Sequence, residues 1–187
     1  IAVAFTEGYG AEITFDGSGA QYLERAEGEG FSVDICGMER IGLGYAALLA
    51  SGRVPANAPY GGLPKPTMFV STTQECDPRP KVVEAIRRFI DVPTYVVDSL
   101  DAPRDMDGTD RGAFTHYVEY NARQLRGLVH FLEEQTGEKL DTERLRHAMR
   151  NFAETQRLVN AILELRKSVP SPLPSVDFWA MLGPWAY

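Results

Sequence analysis

Cysteine is scarce in this chain: Cys36 and Cys76 are the two in 187 residues. So few exclude a disulfide scaffold and make a reducing, cytoplasmic compartment the expectation. Basic blocks are missing as well. With 19 Lys and Arg against 26 Asp and Glu the formal charge is -7, and no cationic face is there to neutralise phosphates, which argues against nucleic acid as a partner. A small anionic ligand, held by a helix terminus and a few arginines, stays compatible. No apolar run approaches the roughly 20 residues that span a bilayer, and no basic-then-apolar leader is visible, so neither a membrane partner nor secretion is expected. Histidine is limited to His116, His130 and His147, all in helix-like segments without ligand spacing. Around VSTT (70–73) there is no serine-hydrolase elbow, and GYGAEITFDGSG (8–19) is neither a Rossmann nor a P-loop fingerprint but a turn-rich connector.

What the chain does have is 44% hydrophobic and 24% charged residues, enough for a core that needs no covalent staple. Four runs rich in β-branched and aromatic residues are predicted strands: IAVAF (1–5), FSVDIC (31–36), TMFVST (67–72) and TYVVDS (94–99). The first reads as a strand already under way, so more polypeptide is expected ahead of it. After Cys36 comes a helix-like MERIGLGYAALLASG closed by Gly52. After Cys76 comes DPRPKVVEAIRRFID, with Asp77 suited to a cap and Pro78 to the first helical position. Val82, Val83, Ile86, Phe89 and Ile90 mark its apolar face. This alternation predicts an α/β domain over residues 1–112 with a parallel, Rossmann or flavodoxin-like sheet. RVPANAPYGGLPKP (53–66) and the acidic DAPRDMDGTDRG (101–112) are expected as loops.

From about residue 113 the pattern changes. One stripe carries Val118, Leu125, Leu128, Val129 and Leu132, and ends at Gly137; a second, opened by Asp141, carries Leu145, Met149, Phe152, Val159, Ile162 and Leu163. They predict a long antiparallel helix pair over 113–168. The proline-interrupted apolar stretch 169–187 is expected to pack on something, as a linker to a second α/β domain outside this chain.

Cys36 and Cys76 each close a predicted strand and precede a predicted helix. Ligands of open parallel sheets gather at strand carboxyl ends beside helix N-termini, where the thiolate, the form that ligates metal, is favoured. Three readings stay open: small core hydrophobes, a disulfide disfavoured by compartment, or two ligands of one site. An iron–sulfur or zinc site takes about four donors, so any such site has to borrow the others.

The order of CGMERIG (36–42), a C-x-x-x-R-x-x-G pattern, then VSTTQECD (70–77), VPTYVVDS (92–99), FLEEQTGEKLDTERLRHAMRNF (131–152) and RLVNAILELRKSVPSPLP (157–174) resembles the 2-hydroxyacyl-CoA dehydratase/benzoyl-CoA reductase family. That family is also called the 2-hydroxyglutaryl-CoA dehydratase D-component family. The resemblance runs from about residue 20 to the end, and the 51–70 loop and the C-terminal stretch look more like benzoyl-CoA reductase subunits. It implies a subunit that holds a [4Fe–4S] cluster through three cysteines, with Cys36 and Cys76 matching the first two. The third is expected in a following domain. Where the family often has a hydroxyl residue after the first cysteine, this chain has Gly37. The resemblance further implies an acyl-CoA substrate, a homologous second subunit and an ATP-dependent iron–sulfur activator that supplies low-potential electrons. Arg40 is read as pairing with a local carboxylate rather than a CoA phosphate, and Asp77 as a helix cap. The rival readings are a non-catalytic assembly subunit of the same family and a flavodoxin-like binding module with two core cysteines.

Overall fold

The computed structural model describes residues 9, 13, 17–74, 76–101, 103 and 110–178. The predicted strand 1–5, most of the 8–19 connector and the end of the apolar tail lie outside the described residues. The chain divides into two compact units, Ile1–Gly137 and Glu138–Tyr187, and each is described by itself.

The first unit is mixed α/β and mostly helical. Its elements are α1 (Ala20–Gly28), α2 (Gly37–Ala50), a 3-10 turn (Pro59–Gly61), β1 (Phe69–Thr72), α3 (Pro78–Ile86), β2 (Thr94–Val97) and α4 (Arg111–Thr136). Two of the predicted strands are there as β1 and β2. They pair in parallel from Phe69 opposite Thr94 to Thr72 opposite Val97, with α3 as the crossover between them. Among the described residues the sheet has these two strands, smaller than the sheet expected for a flavodoxin-like domain.

The predicted strand 31–36 is not a strand. After α1, Gly30 at φ +92° turns the chain and Phe31 N–H donates to the Ala26 carbonyl at 3.1 Å. Ser32 then hydrogen-bonds Asp34 through its hydroxyl, and Ile35 N–H closes a turn onto the Ser32 carbonyl at 3.2 Å. Short polar side chains that satisfy the local backbone compete with a sheet ladder, and here they win. Val33, counted as a strand hydrophobe, is 67% exposed.

The core of this unit is helical and aromatic. Tyr22 and Ala26 of α1 pack with Ile41, Leu43, Tyr45 and Ala46 of α2, together with Tyr9, Ile13 and Phe69. The close crossing of α1 and α2 depends on Gly44, where a Cβ would sit 1.8 Å from the Tyr22 carbonyl oxygen. Tyr45 ties the 53–66 loop to the core: Leu63 N–H donates to its hydroxyl at 2.6 Å. The Tyr9 hydroxyl holds the same loop by donating to the Pro59 carbonyl at 2.8 Å. On α3 the expected face is the buried one, with Val82, Val83 and Ile86 in the core; the helix ends at Ile86, and past it Ile90 is in the core with Phe89 packed against it. Helix α4 lies on β2, where the Tyr95 hydroxyl donates to the Gln124 carbonyl at 3.1 Å over Gly127.

In the second unit α5 runs Thr142–Leu165, and Asp141 caps it as expected, accepting from Glu143 N–H at 2.9 Å and Arg144 N–H at 3.0 Å. The following stretch folds back on the helix end. Arg166 lies 4.5 Å from the Phe178 ring centre and donates to Ser175 Oγ at 3.1 Å. The apolar stripe of α5 is less covered than its sequence pattern predicts. Val159 and Ile162 are half-buried, but Leu145, Met149, Phe152 and Leu163 are exposed. No described helix is long and apolar enough to cross a membrane.

Candidate functional site

Cys36 stands at the N-cap of α2, and Cys76 lies between β1 and the start of α3, one residue before its cap position Asp77. Both thiols are free and exposed. The reading as core hydrophobes is therefore wrong, and the turn at 31–36 explains it for Cys36. Without a strand to bury it, this residue is delivered to the surface at a helix start. Helix starts leave backbone N–H groups unsatisfied and carry positive potential, which suits a negatively charged sulfur.

The loop before α2 is held by Arg40. Its Nε donates to the Ile35 carbonyl at 3.2 Å and its Nη1 meets Glu27 Oε1 at 2.6 Å. The guanidinium side chain is only 12% exposed, so the structural reading of Arg40 holds. Asp77 differs from expectation. Its carboxylate makes no cap bond to the backbone of α3 and pairs instead with Lys81 one turn on.

The segment leading from β1 to Cys76 is fixed by hydroxyls. Gln74 N–H donates to Thr72 Oγ1 at 3.1 Å, and Thr72 Oγ1 lies 3.3 Å from Ser99 Oγ. Ser99 N–H donates to Thr73 Oγ1 at 2.9 Å, and Thr73 Oγ1 donates to Asp98 Oδ1 at 3.2 Å. Tyr120 on α4 donates to the other Asp98 oxygen, and that hydrogen bond holds its phenol above the usual range. The hydroxyl-rich VSTT therefore serves to anchor the carboxyl ends of the two strands together.

Helix α2 packs against α3. Their first turns meet electrostatically: Glu39, third residue of α2, feels the positive charge of Arg79, second residue of α3. Glu39 is 5% exposed and its Oε2 has no hydrogen-bond partner. Burial pushes its carboxyl up, and Arg79 partly opposes that. Sequence reasoning weighed Arg40 and passed over Glu39. The signal was in the spacing, since Cys36-x-x-Glu39 and Cys76-x-x-Arg79 place opposite charges three residues after each thiol.

The three histidines stay on helix surfaces, as expected. His116 stacks edge-on to Tyr117, His130 meets Glu134 at 3.1 Å and His147 lies 3.4 Å from Asn151 Nδ2. Among the described residues no three His, Cys, Asp or Glu side chains gather as a metal site.

The family model for the 2-hydroxyglutaryl-CoA dehydratase D-component matches residues 8–186. The chain belongs to this family. Among the curated relatives, the (R)-phenyllactyl-CoA dehydratase alpha subunit of Clostridium sporogenes is 25% identical over 96% of this chain and 41% of its own length. The lactoyl-CoA dehydratase subunit alpha of Anaerotignum propionicum is 26% identical over 96% of this chain and 43% of its own. The (R)-2-hydroxyisocaproyl-CoA dehydratase alpha subunit of Clostridioides difficile is 25% identical over 97% of this chain and 41% of its own. The chain thus spans about two fifths of the length of the curated relatives it matches.

As donors for the iron–sulfur cluster implied by the resemblance, Cys36 and Cys76 fit in kind. They are exposed, free thiols at the starts of two helices that pack together. In number they leave further ligands to come from outside the described residues.

Proposed function

We propose that this chain is the cluster-bearing portion of an alpha-type subunit of a 2-hydroxyacyl-CoA dehydratase, with Cys36 and Cys76 as cluster ligands. The observation that carries this reading is the placement of both thiols, exposed and free, at the starts of α2 and α3 in a member of the D-component family. A [4Fe–4S] cluster, when bound, would supply single low-potential electrons to the thioester of a 2-hydroxyacyl-CoA. The rest falls to the protein. The Arg40 anchor on Ile35 and Glu27 holds the Cys36 turn, and the Thr72–Thr73–Ser99 hydroxyl network holds the approach to Cys76. Two separately braced thiols give a preorganised pair, so little reorganisation accompanies ligation or a change of charge.

Gly37 follows Cys36 directly, and its Cβ position is open space. A residue without a side chain there leaves room beside the thiol for a bulky substrate but offers it no hydroxyl. The relatives named above are dehydratase alpha subunits, which favours loss of a 2-hydroxyl over reduction of an aromatic ring. A partner subunit and an ATP-dependent iron–sulfur activator complete the proposed assembly.

The test is dehydration of 2-hydroxyacyl-CoA substrates by the anaerobically isolated native protein, with its partner subunit and an activator added. Turnover in the parent, lost in Cys36→Ser and in Cys76→Ser, is expected. A parent that binds the partner and stays inactive with every 2-hydroxyacyl-CoA would instead favour a non-catalytic assembly subunit.

A further inference from the structure

Away from the cysteines, the 53–66 loop holds an aromatic ring out to solvent against its backbone preference. Among the described residues Tyr60 is the one non-glycine with positive φ, at φ +57° and ψ 19°. It is 82% exposed. Single exposed apolar residues are ordinary on a protein surface. A bulky residue in the left-handed region is not, and such strain gathers at ligand clamps and active sites. The backbone on both sides of Tyr60 is pinned. Ala58 is buried, and the Pro59 carbonyl accepts from the Tyr9 hydroxyl at 2.8 Å and from Gly62 N–H at 3.0 Å. Leu63 N–H is held by the Tyr45 hydroxyl. The ring is thus fixed at its root and open to solvent.

The charge of this region also departs from the rest of the chain. From residue 40 to residue 74 there is no Asp or Glu, in a protein with 26 of them. Arg40 is already paired with Glu27, whereas Arg53 and Lys65 are exposed at the two ends of the loop. The legs of the loop touch, since a Cβ at Gly62 would lie 2.9 Å from Val54 Cγ1. Arg53 is the neighbour of Val54 and Tyr60 is two residues before Gly62, so both flank one crossing. We propose that Tyr60, with Arg53 and Lys65, holds the adenosine phosphate end of the acyl-CoA substrate, the ring stacking on adenine and the cations facing the phosphates. The proposal rests on the acyl-CoA reading above and adds where the nucleotide is held. A preorganised ring stacks on a base at little ordering cost. A ligand with several negative charges is repelled by a chain of charge -7 and drawn to the acid-free stretch.

The test is equilibrium binding of free CoA to the anaerobically isolated native protein with its partner subunit. The comparison probes are 4′-phosphopantetheine, which lacks the adenosine, and ADP, and thermal unfolding is followed in parallel. Tyr60→Gly is expected to weaken CoA binding about tenfold, as loss of one base stack does, and to leave phosphopantetheine binding unchanged. Its melting temperature stays level or rises, because glycine takes a positive φ freely. Tyr60→Phe keeps the parental affinity. Arg53→Gln combined with Lys65→Gln weakens CoA binding and flattens its fall with rising salt. CoA bound at parental strength by Tyr60→Gly, or by the paired Gln variant, overturns the proposal. Equal losses for CoA and phosphopantetheine overturn it too, and so does ADP bound more tightly than CoA, the mark of a free-nucleotide site. Loss of the partner subunit from Tyr60→Gly with CoA affinity retained overturns it in favour of a protein interface. A parent with no affinity for CoA also overturns it. Turnover is scored separately: a parent that binds CoA through Tyr60 but dehydrates no 2-hydroxyacyl-CoA removes the dehydratase reading and leaves the nucleotide site standing.

Discussion

At the scale of single residues, Glu39 has a consequence that acid–base titration can reach. Burial raises its carboxyl and Arg79 opposes the rise without cancelling it. The folded chain therefore holds this proton to higher pH than the unfolded chain does. Between the two values the folded state binds more protons, so stability contributed at this site is full below the ordinary carboxylate range and declines as pH rises through it and above. Glu39→Gln keeps the shape and removes the titration. Denaturant melts across that range are expected to show a flatter pH dependence for Glu39→Gln than for the parent, and identical slopes would contradict the assignment. Glu39 was hard to see in the sequence. It is one charged letter in GMERIGLGYAALLA, and nothing local says whether position 39 faces water or α3. Arg40, by contrast, was read from the sequence as pairing with a carboxylate, and the fold supplies Glu27 of α1 for it.

At the scale of elements, sequence reasoning succeeded where local chemistry and burial agree. Helix α3 formed with proline at its first position and its apolar face buried, though it ends at Ile86, short of Phe89 and Ile90, and without a side-chain cap from Asp77. Asp141 capped α5 through its side chain for the same reason. The segment 31–36 was misread because strand propensity counts Phe, Val and Ile but not the turn made by Ser32 and Asp34. Gly44 was unremarkable as a letter and decisive in three dimensions. A methyl group there meets the Tyr22 carbonyl at 1.8 Å, so α1 and α2 have to separate. Gly44→Ala is expected to destabilise the first unit by about 1–3 kcal/mol or more, in the range of overpacked cores. Gly28→Ala, with open space at its Cβ position, is the control and should stay near the parent. Chemical unfolding of the two variants checks this; equal stability of all three proteins would show that the crossing is looser than drawn.

At the scale of the whole molecule, the apolar side chains of α5 stand out. Leu145 is 44% exposed, Met149 58% and Phe152 55%. Apolar groups in a row along one helix favour association in water. The chain by itself is expected to self-associate with rising concentration, and Met149→Lys with Phe152→Glu to suppress this without loss of helix content. Light scattering beside circular dichroism reads both. A monodisperse parent at high concentration would count against it. The hydrophobic period of this helix was plain in the sequence, but the period reveals a face and not what covers it. The same limit applies to the cysteines. Pattern and resemblance singled out Cys36 and Cys76, whereas their exposure beside two helix starts came only from the fold.

The central claim is that these two thiols bind an iron–sulfur cluster. Iron and acid-labile sulfide per chain, measured on the anaerobically isolated native protein and on its Cys36→Ala and Cys76→Ala variants, test it most directly. The account predicts both elements in the parent and a loss of most of each in either variant. Iron absent from the parent, or retained in full by both variants, would contradict it.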